Sequence, residues 1–207
     1  MQIISINKDR LHLTRLSLSD GQDLLLDNDV VFEKSLFVGM EIDLEGVKEL
    51  SHISQVKRAK ARALWYLERM DYTEKALFDK LCKAGFEKTA CAEVLARLCE
   101  LNLVDDRRFA ERTAEKLKGQ NKSRREILNK LYLKGVPLDL AKEVLSDTDV
   151  DEESQIKELL QKKYSYKLTD ADSTKKVFAA LVRRGFSYSA VKSALKNYCE
   201  ELEFCED

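Results

Sequence analysis

The chain has 207 residues, 44% of them apolar and 35% charged, with a net charge of −1. That balance belongs to a folded chain with a well-solvated surface and excludes a disordered one. One proline and seven glycines leave few chain breakers, so a mainly α fold is expected, and no apolar run approaches the roughly 18 residues a membrane span needs.

The N-terminus, "MQIISINKDR", lacks the basic start and apolar core of a signal peptide. "QIISI" and "LHLTRLSLS" alternate apolar with polar residues, as strands do. The alternation slips between Leu13 and Leu16, which predicts a bulge near Thr14 and places His12 in a strand. "SDGQ" at 19–22 reads as a turn, Leu24–Leu26 as a returning strand, and "NDVVFEKS" as a short capped helix. The expectation is a small β-rich unit over residues 1–45.

From about residue 50 the period becomes helical, with Ile53, Val56, Leu64 and Leu67 at helix-compatible spacings. Breaks recur near Asp71, Gly85, Asn102–Asp105, Gly119, Gly135, Asp147–Asp151, Lys167–Asp172 and Gly185. Gly85, Gly135 and Gly185 are each 50 residues apart, preceded at four residues by Leu81, Leu131 and Leu181 and followed at ten by Leu95, Leu145 and Leu195. A fixed period with two helices per match indicates one supersecondary unit used three times. With a linking helix added, the units are helical repeat 1 (46–104), repeat 2 (105–150) and repeat 3 (151–207, with an acidic tail). Stacked units of this kind are expected to form an elongated, curved body.

Each glycine is expected at the C′ position of a helix, where a left-handed conformation carries no Cβ penalty. Lys134 and Arg184 then sit where positive charge meets the negative helix end. Pro137 falls near the start of the following helix in repeat 2, and Ser187 is a candidate cap in repeat 3.

Charge is uneven along the chain. Residues 1–50 carry 5 Lys/Arg and 10 Asp/Glu, net −5, whereas residues 51–134 carry 20 and 12, net +8. "KLKGQNKSRREILNKLYLK" (116–134) holds seven basic residues and one acid, and the last eight residues hold five acids. A basic middle points to an anionic partner. On a helical wheel with Val177 at zero, Phe178, Leu181 and Val182 form the core stripe. Lys176 and Arg183 face outward beside Lys175, and Arg184 lies at the edge. In repeat 2, Arg125, Lys130 and Lys134 surround the stripe of Ile127, Leu128 and Leu131, and the preceding linker offers Lys122 and Arg124. Cations on solvent faces beside free helix-start N–H groups suit a phosphate backbone. Few aromatics interleave with these residues, so no base-stacking platform is evident.

No catalytic constellation emerges. His12 and His52 have no nucleophile or ligand partner at motif spacing, and Gly-rich phosphate loops, GxSxG and HExxH are absent. Cys82, Cys91, Cys99, Cys199 and Cys205 form no CxxC pair and no zinc spacing. Buried free thiols at Cys82 and Cys91 and a reducing cytoplasm are expected, with no metal and no cofactor.

Several stretches together resemble the RecX family of regulators of the RecA recombinase, over roughly residues 59–198. "ALWYLERMDYTEKALFDKL" resembles the family's opening. "CELNLVDDRRFAE" carries its hallmark of a leucine, two acids and Phe-Ala, here Leu103, Asp105, Asp106, Phe109 and Ala110. "LYLKGVP" and "LVRRGFS" resemble its L-x-x-K-G and L-x-R-R-G-F corners, although the Gly-Pro usual before the second repeat is here "GQNKSRREI". The resemblance implies a non-enzymatic, monomeric modulator that binds RecA and RecA–single-stranded DNA filaments. It would restrain ATP hydrolysis, filament growth or strand exchange in recombination, DNA repair and the SOS response. The physical reading makes Asp105 or Asp106 a helix cap, and has Phe109 and Ala110 dock that helix onto the first unit. Two other readings of the residues stand beside it: a helix–turn–helix DNA-binding transcription factor, and a purely protein-binding helical scaffold.

Overall fold

The computed structural model describes residues 1–9, 12–148, 151–168 and 171–203. It divides into two compact units, Met1–Val104 and Asp105–Asp207. The fold is mainly helical, with one small antiparallel sheet at the N-terminus and three-helix bundles after it.

In the first unit, β1 (Ile3–Lys8), β2 (Leu13–Leu18) and β3 (Asp23–Asp27) form a meander in the order β1-β2-β3. Gly21, with φ of 84°, makes the turn into β3. The inward face is Ile3, Leu16, Leu18 and Leu26. Its remaining inward position on β2 is Thr14, only 4% exposed, whose hydroxyl donates to Asn28 Oδ1 at 2.7 Å. That bond resolves the apparent slip in phase. β2 runs in unbroken register against β3 from Leu13 to Ser17, and a polar residue with a partner takes a buried place. The bulge expected near Thr14 lies instead in β1, between Ile3 and Ser5. His12 precedes β2 in a turn and is exposed, not in a strand.

A short helix, α1 (Asn28–Glu33), follows β3, capped by the Asp27 carboxylate, which accepts from Asp29 N–H at 3.0 Å. The 24-residue α2 (Leu44–Leu67) then serves two cores. Val47 and Leu50 close over the sheet, whereas Ala59 and Ala63 are fully buried against α3 (Glu74–Lys83) and α4 (Lys88–Glu100). Cys91 is buried in this second core beside Cys82. Burial first, and then the neighbouring Cys82 thiol, push its thiol up to about 11, so it is an inert thiol at neutral pH.

The second unit holds two bundles: α5 (Asp106–Lys118), α6 (Arg124–Leu133) and α7 (Leu138–Asp147), then α8 (Glu152–Leu159), α9 (Ala171–Arg183) and α10 (Tyr188–Glu203). α8 runs on through a π-helical turn at Leu160–Tyr164 and a 3-10 turn at Ser165–Lys167. The first core is built on Ala110, Ala114, Ile127, Leu131, Val136, Ala141 and Val144, the second on Ile156, Leu160, Val177, Leu181, Phe186 and Val191. The break at Asp147–Asp151 includes residues 149–150, that at Lys167–Asp172 includes 169–170, and Cys205 with the end of the acidic tail falls at 204–207. All of these lie outside the described residues.

The glycine corner is the same in all three repeats. Gly85, Gly135 and Gly185 have φ of 92°, 94° and 94°. At each, the glycine N–H reaches the carbonyl three residues back (Cys82, Tyr132, Val182; 2.9–3.0 Å). The N–H of the following apolar residue reaches the leucine carbonyl five back (Leu81, Leu131, Leu181; 3.1–3.4 Å). This pair of bonds satisfies two of the carbonyls that a helix end leaves free. Leu81, Leu131 and Leu181 are fully buried, and Val136 and Phe186 pack back over them.

The first and third corners differ in what lies beside them. A Cβ on Gly85 would meet nothing within 4 Å, whereas one on Gly185 would lie 2.8 Å from Ser123 Oγ and 3.1 Å from Arg125 Cβ. Alanine at either position pays the left-handed backbone penalty of about 1–2 kcal/mol. Only at Gly185 does it add an overpacking cost of about 1–3 kcal/mol. Gly185→Ala is therefore expected to destabilise its unit more than Gly85→Ala destabilises the other. Urea titrations of the two variants check this, and equal losses would contradict the close approach at Gly185.

Candidate functional site

The basic residues singled out in the sequence fall in the second unit, and its packing sorts them. α6 begins at Ser123, whose hydroxyl accepts from Glu126 N–H at 3.2 Å and donates to the Arg184 carbonyl at 2.7 Å. One buried hydroxyl thus caps the start of α6 and takes up a carbonyl left at the end of α9. The positive end of one helix dipole meets the negative end of another, an attractive arrangement. A second tie lies nearby: Gln155 of α8 donates to the Lys118 carbonyl at 3.2 Å, and Asn121, with φ of 54°, donates to Glu158 Oε2 at 3.0 Å.

The junction brings together arginines that are about 60 positions apart in sequence. Arg125, Arg183 and Arg184 line one groove of about 680 Å³, whose apolar walls include Leu128, Tyr132, Leu138 and Val182. Arg124 and Arg125 line an adjoining hollow of about 350 Å³ with Lys142, Leu145 and Glu152. Arg124, Arg125 and Arg183 are exposed, and Arg184 is half-buried. It is the Arg184 carbonyl that is fixed at the helix end, by Ser123. Tyr132 and Leu138, 58% and 42% exposed, give the groove an apolar component that sequence spacing did not single out.

The lysines behave differently. Lys122 and Lys130 both hold Glu126, at 2.7 and 3.3 Å, with the carboxylate only 24% exposed. Burial acts to raise the Glu126 pKa, but the hydrogen bonds and charges of the two lysines outweigh it and hold the carboxyl below the usual range. Two of the expected binding cations are thus engaged within the fold. Lys134 caps α6 with its ammonium 5.7 Å from the centre of the Phe109 ring. Lys176 is exposed on α9, and Lys175 pairs with Asp172 at 3.1 Å on the open surface, an arrangement of small energetic consequence.

The Asp-Asp-x-x-Phe-Ala hallmark is a helix start. Asp105 accepts from Arg108 N–H at 3.0 Å and caps α5, while Asp106 lies in the first turn. Ala110 is fully buried in the repeat 2 core with Phe109 partly buried against it. The pair therefore packs in the second bundle. Position five in α5 sets this: its buried residues Ala110, Ala114 and Leu117 recur at helical spacing and face α6 and α7. Of the two histidines, His52 meets Glu93 at 2.8 Å on the surface. Among the described residues no His/Cys/Asp/Glu group is arranged to hold a metal, and no helix is long and apolar enough to cross a membrane.

Residues 59–98 match the family model described as RecX, first three-helix domain, and residues 151–195 match RecX, third three-helix domain. The chain is 31% identical to the regulatory protein RecX of Streptococcus sanguinis, over 100% of this chain and 79% of that protein. It is 28% identical to the regulatory protein RecX of Clostridium perfringens, over 93% of each. Among solved structures, a regulatory protein RecX superposes with a TM-score of 0.69 at 21% identity, covering 94% of this chain and 98% of that one. RecX from Lactobacillus salivarius superposes with a TM-score of 0.61 at 24% identity, covering 69% and 96%. These structures share the fold.

Two outcomes test the junction. Ser123→Ala removes a cap worth about 1 kcal/mol and leaves the Arg184 carbonyl without its partner at a further cost of about 1–3 kcal/mol. The loss should exceed that of Ser187→Ala, whose hydroxyl caps α10 by accepting from Ala190 N–H at 3.3 Å; chemical denaturation compares them. For pH, the depressed Glu126 pKa contributes stability that is fully present above the ordinary carboxylate pKa of about 4.3 and is lost as pH falls below it. Thermal melts between pH 7 and pH 3 should show a shallower acid loss in Glu126→Gln than in the parent chain.

Proposed function

The chain belongs to the RecX family of regulatory proteins, and from that premise we propose that it is a non-enzymatic regulator of the RecA recombinase. It acts by binding RecA filaments on single-stranded DNA and restraining ATP hydrolysis, filament growth and strand exchange. The observation that carries this reading is the gathering of Arg124, Arg125, Arg183 and Arg184 from two repeats around one junction. Guanidinium groups present several donors in a fixed fork and are weakly hydrated, so they suit phosphate oxygens better than ammonium groups do. A ridge of them beside an apolar groove can meet a polyanionic filament along the phosphate path and a protein side chain in the groove. Lys134, Lys175 and Lys176 extend the positive field on the same two repeats, whereas Lys122 and Lys130 shape the site by fixing Glu126.

Arg124 and Arg183 are the discriminating positions because both side chains are exposed. The Arg124→Ala, Arg183→Ala double variant should melt like the parent chain and inhibit RecA ATPase several-fold less well. If both contact phosphates, the slope of log affinity for filament against log salt should shrink by about two. Undiminished inhibition by the folded double variant would overturn the site. A salt slope unaltered by the substitutions would assign these arginines to protein contacts instead.

A further inference from the structure

The first unit carries a cluster that the junction arginines do not explain. The C-terminal turns of α2 bury Ala63 on one side. On the opposite side Arg62, Trp65 and Arg69 follow one another at spacings of three and four, which places them in one outward row. Trp65 is 44% exposed, although a residue of its size is normally drawn into a core. The core is complete without it: Ala59, Ala63, Leu77, Leu81 and Leu95 fill it, with Tyr66 and Leu67 at its margin.

Trp65 is held in place by its neighbours. The Arg69 guanidinium lies 3.6 Å from the centre of the indole and donates to the Trp65 carbonyl at 2.7 Å. The Arg62 guanidinium lies 5.6 Å from the same centre. Tyr66 meets the indole edge-on, with centroids 5.3 Å apart, and Lys80 sits between the rings of Tyr66 and Tyr72 at 4.4 and 4.6 Å. Aromatic rings and cations alternate across this surface.

We infer that this row is a nucleobase-stacking site for single-stranded DNA. A base stacks on the exposed indole while the phosphates on either side pair with Arg62 and Arg69. The alternation of ring and cation matches the alternation of base and phosphate along an unpaired strand, and stacking is indifferent to sequence because every base has a π-face. Among the described residues, neither arginine is ion-paired, so charge complementarity favours a polyanion over an acidic or neutral peptide. In a duplex the base faces are occupied by their own neighbours, which excludes double-stranded DNA from this mode.

The inference rests on the reading that the chain works on single-stranded DNA, and the test separates the two. Trp65 is the single tryptophan of the chain, so its emission reports this site alone. Titration with oligo(dT) at low salt should quench it saturably, whereas a duplex of the same length should not. With a labelled oligo(dT), Trp65→Ala should weaken binding roughly tenfold, Trp65→Phe less, and Arg62→Ala, Arg69→Ala more steeply at low salt than at high salt. Binding of the oligonucleotide without quenching, and with full affinity in Trp65→Ala, would overturn the inference while leaving RecA inhibition and the proposed function intact. Trp65→Ala that keeps oligo(dT) affinity but loses RecA co-sedimentation would overturn it in favour of a protein contact. Absence of any single-stranded DNA binding, with RecA inhibition also lost, would instead sink the proposed function.

Discussion

The hydroxyl of Ser123 sets the geometry of the second unit. It is fully buried, it holds the first turn of α6, and it takes up the Arg184 carbonyl at the end of α9. A donor that must also accept can satisfy both only if the two helix ends stand at one distance and angle. The close approach this demands leaves no room for a side chain at position 185, so the glycine is fixed twice: by its φ of 94° and by the 2.8 Å spacing to Ser123 Oγ. The four arginines owe their proximity to this contact. Arg124 and Arg125 follow the hydroxyl along the chain, and Arg183 and Arg184 precede the glycine. Their convergence is a consequence of the seam, which holds four like charges near one another against their mutual repulsion.

The three corners show how one local solution supports different uses. Gly85, Gly135 and Gly185 close their helices by the same two hydrogen bonds, and a buried leucine and an apolar residue grip each corner from either side. That part is local and repeats with the sequence. What lies outside the corner differs between the first and the third. At Gly85 the space a Cβ would fill is open, whereas at Gly185 another helix start occupies it. A helix cap can therefore evolve into a docking point between bundles with no change in its own backbone.

Features governed by neighbours in the chain were legible in the sequence. The 50-residue period, the C′ glycines, the Asp105 and Ser187 caps and the strand meander all follow from local spacing, and the structure realises each. Misreadings arose where a distant partner decided the outcome. Thr14 broke the apolar alternation because Asn28, fourteen residues on, pays its desolvation with a hydrogen bond, so the bulge was assigned to the wrong strand. The outward-facing cations were identified by wheel position, but not that Lys122 and Lys130 would be drawn onto Glu126. The row of Arg62, Trp65 and Arg69 does not stand out in the sequence; it emerges from the exposure of Trp65 and the two guanidinium groups placed against its ring.

The division of labour between lysine and arginine follows from what each can do at a half-buried site. Glu126 caps the middle of a network in which two ammonium groups converge on one carboxylate, an arrangement of point charges that tolerates many approach angles. Two positive charges around one negative leave a net positive field there, while each ammonium directs a donor to Glu126. Arg124, Arg125 and Arg183 are exposed and retain directional donors for an incoming acceptor. Electrostatic attraction at long range thus comes from both residue types, but directional recognition at contact falls to the arginines. Replacing Arg124 or Arg183 by lysine would preserve the charge, and with it the steering, while removing the fork; replacing Lys122 by arginine would leave the field unaltered and crowd the 24%-exposed pocket that holds Glu126. The chemistry of the junction therefore depends on which cation stands at which position, and the net charge of the segment does not describe it.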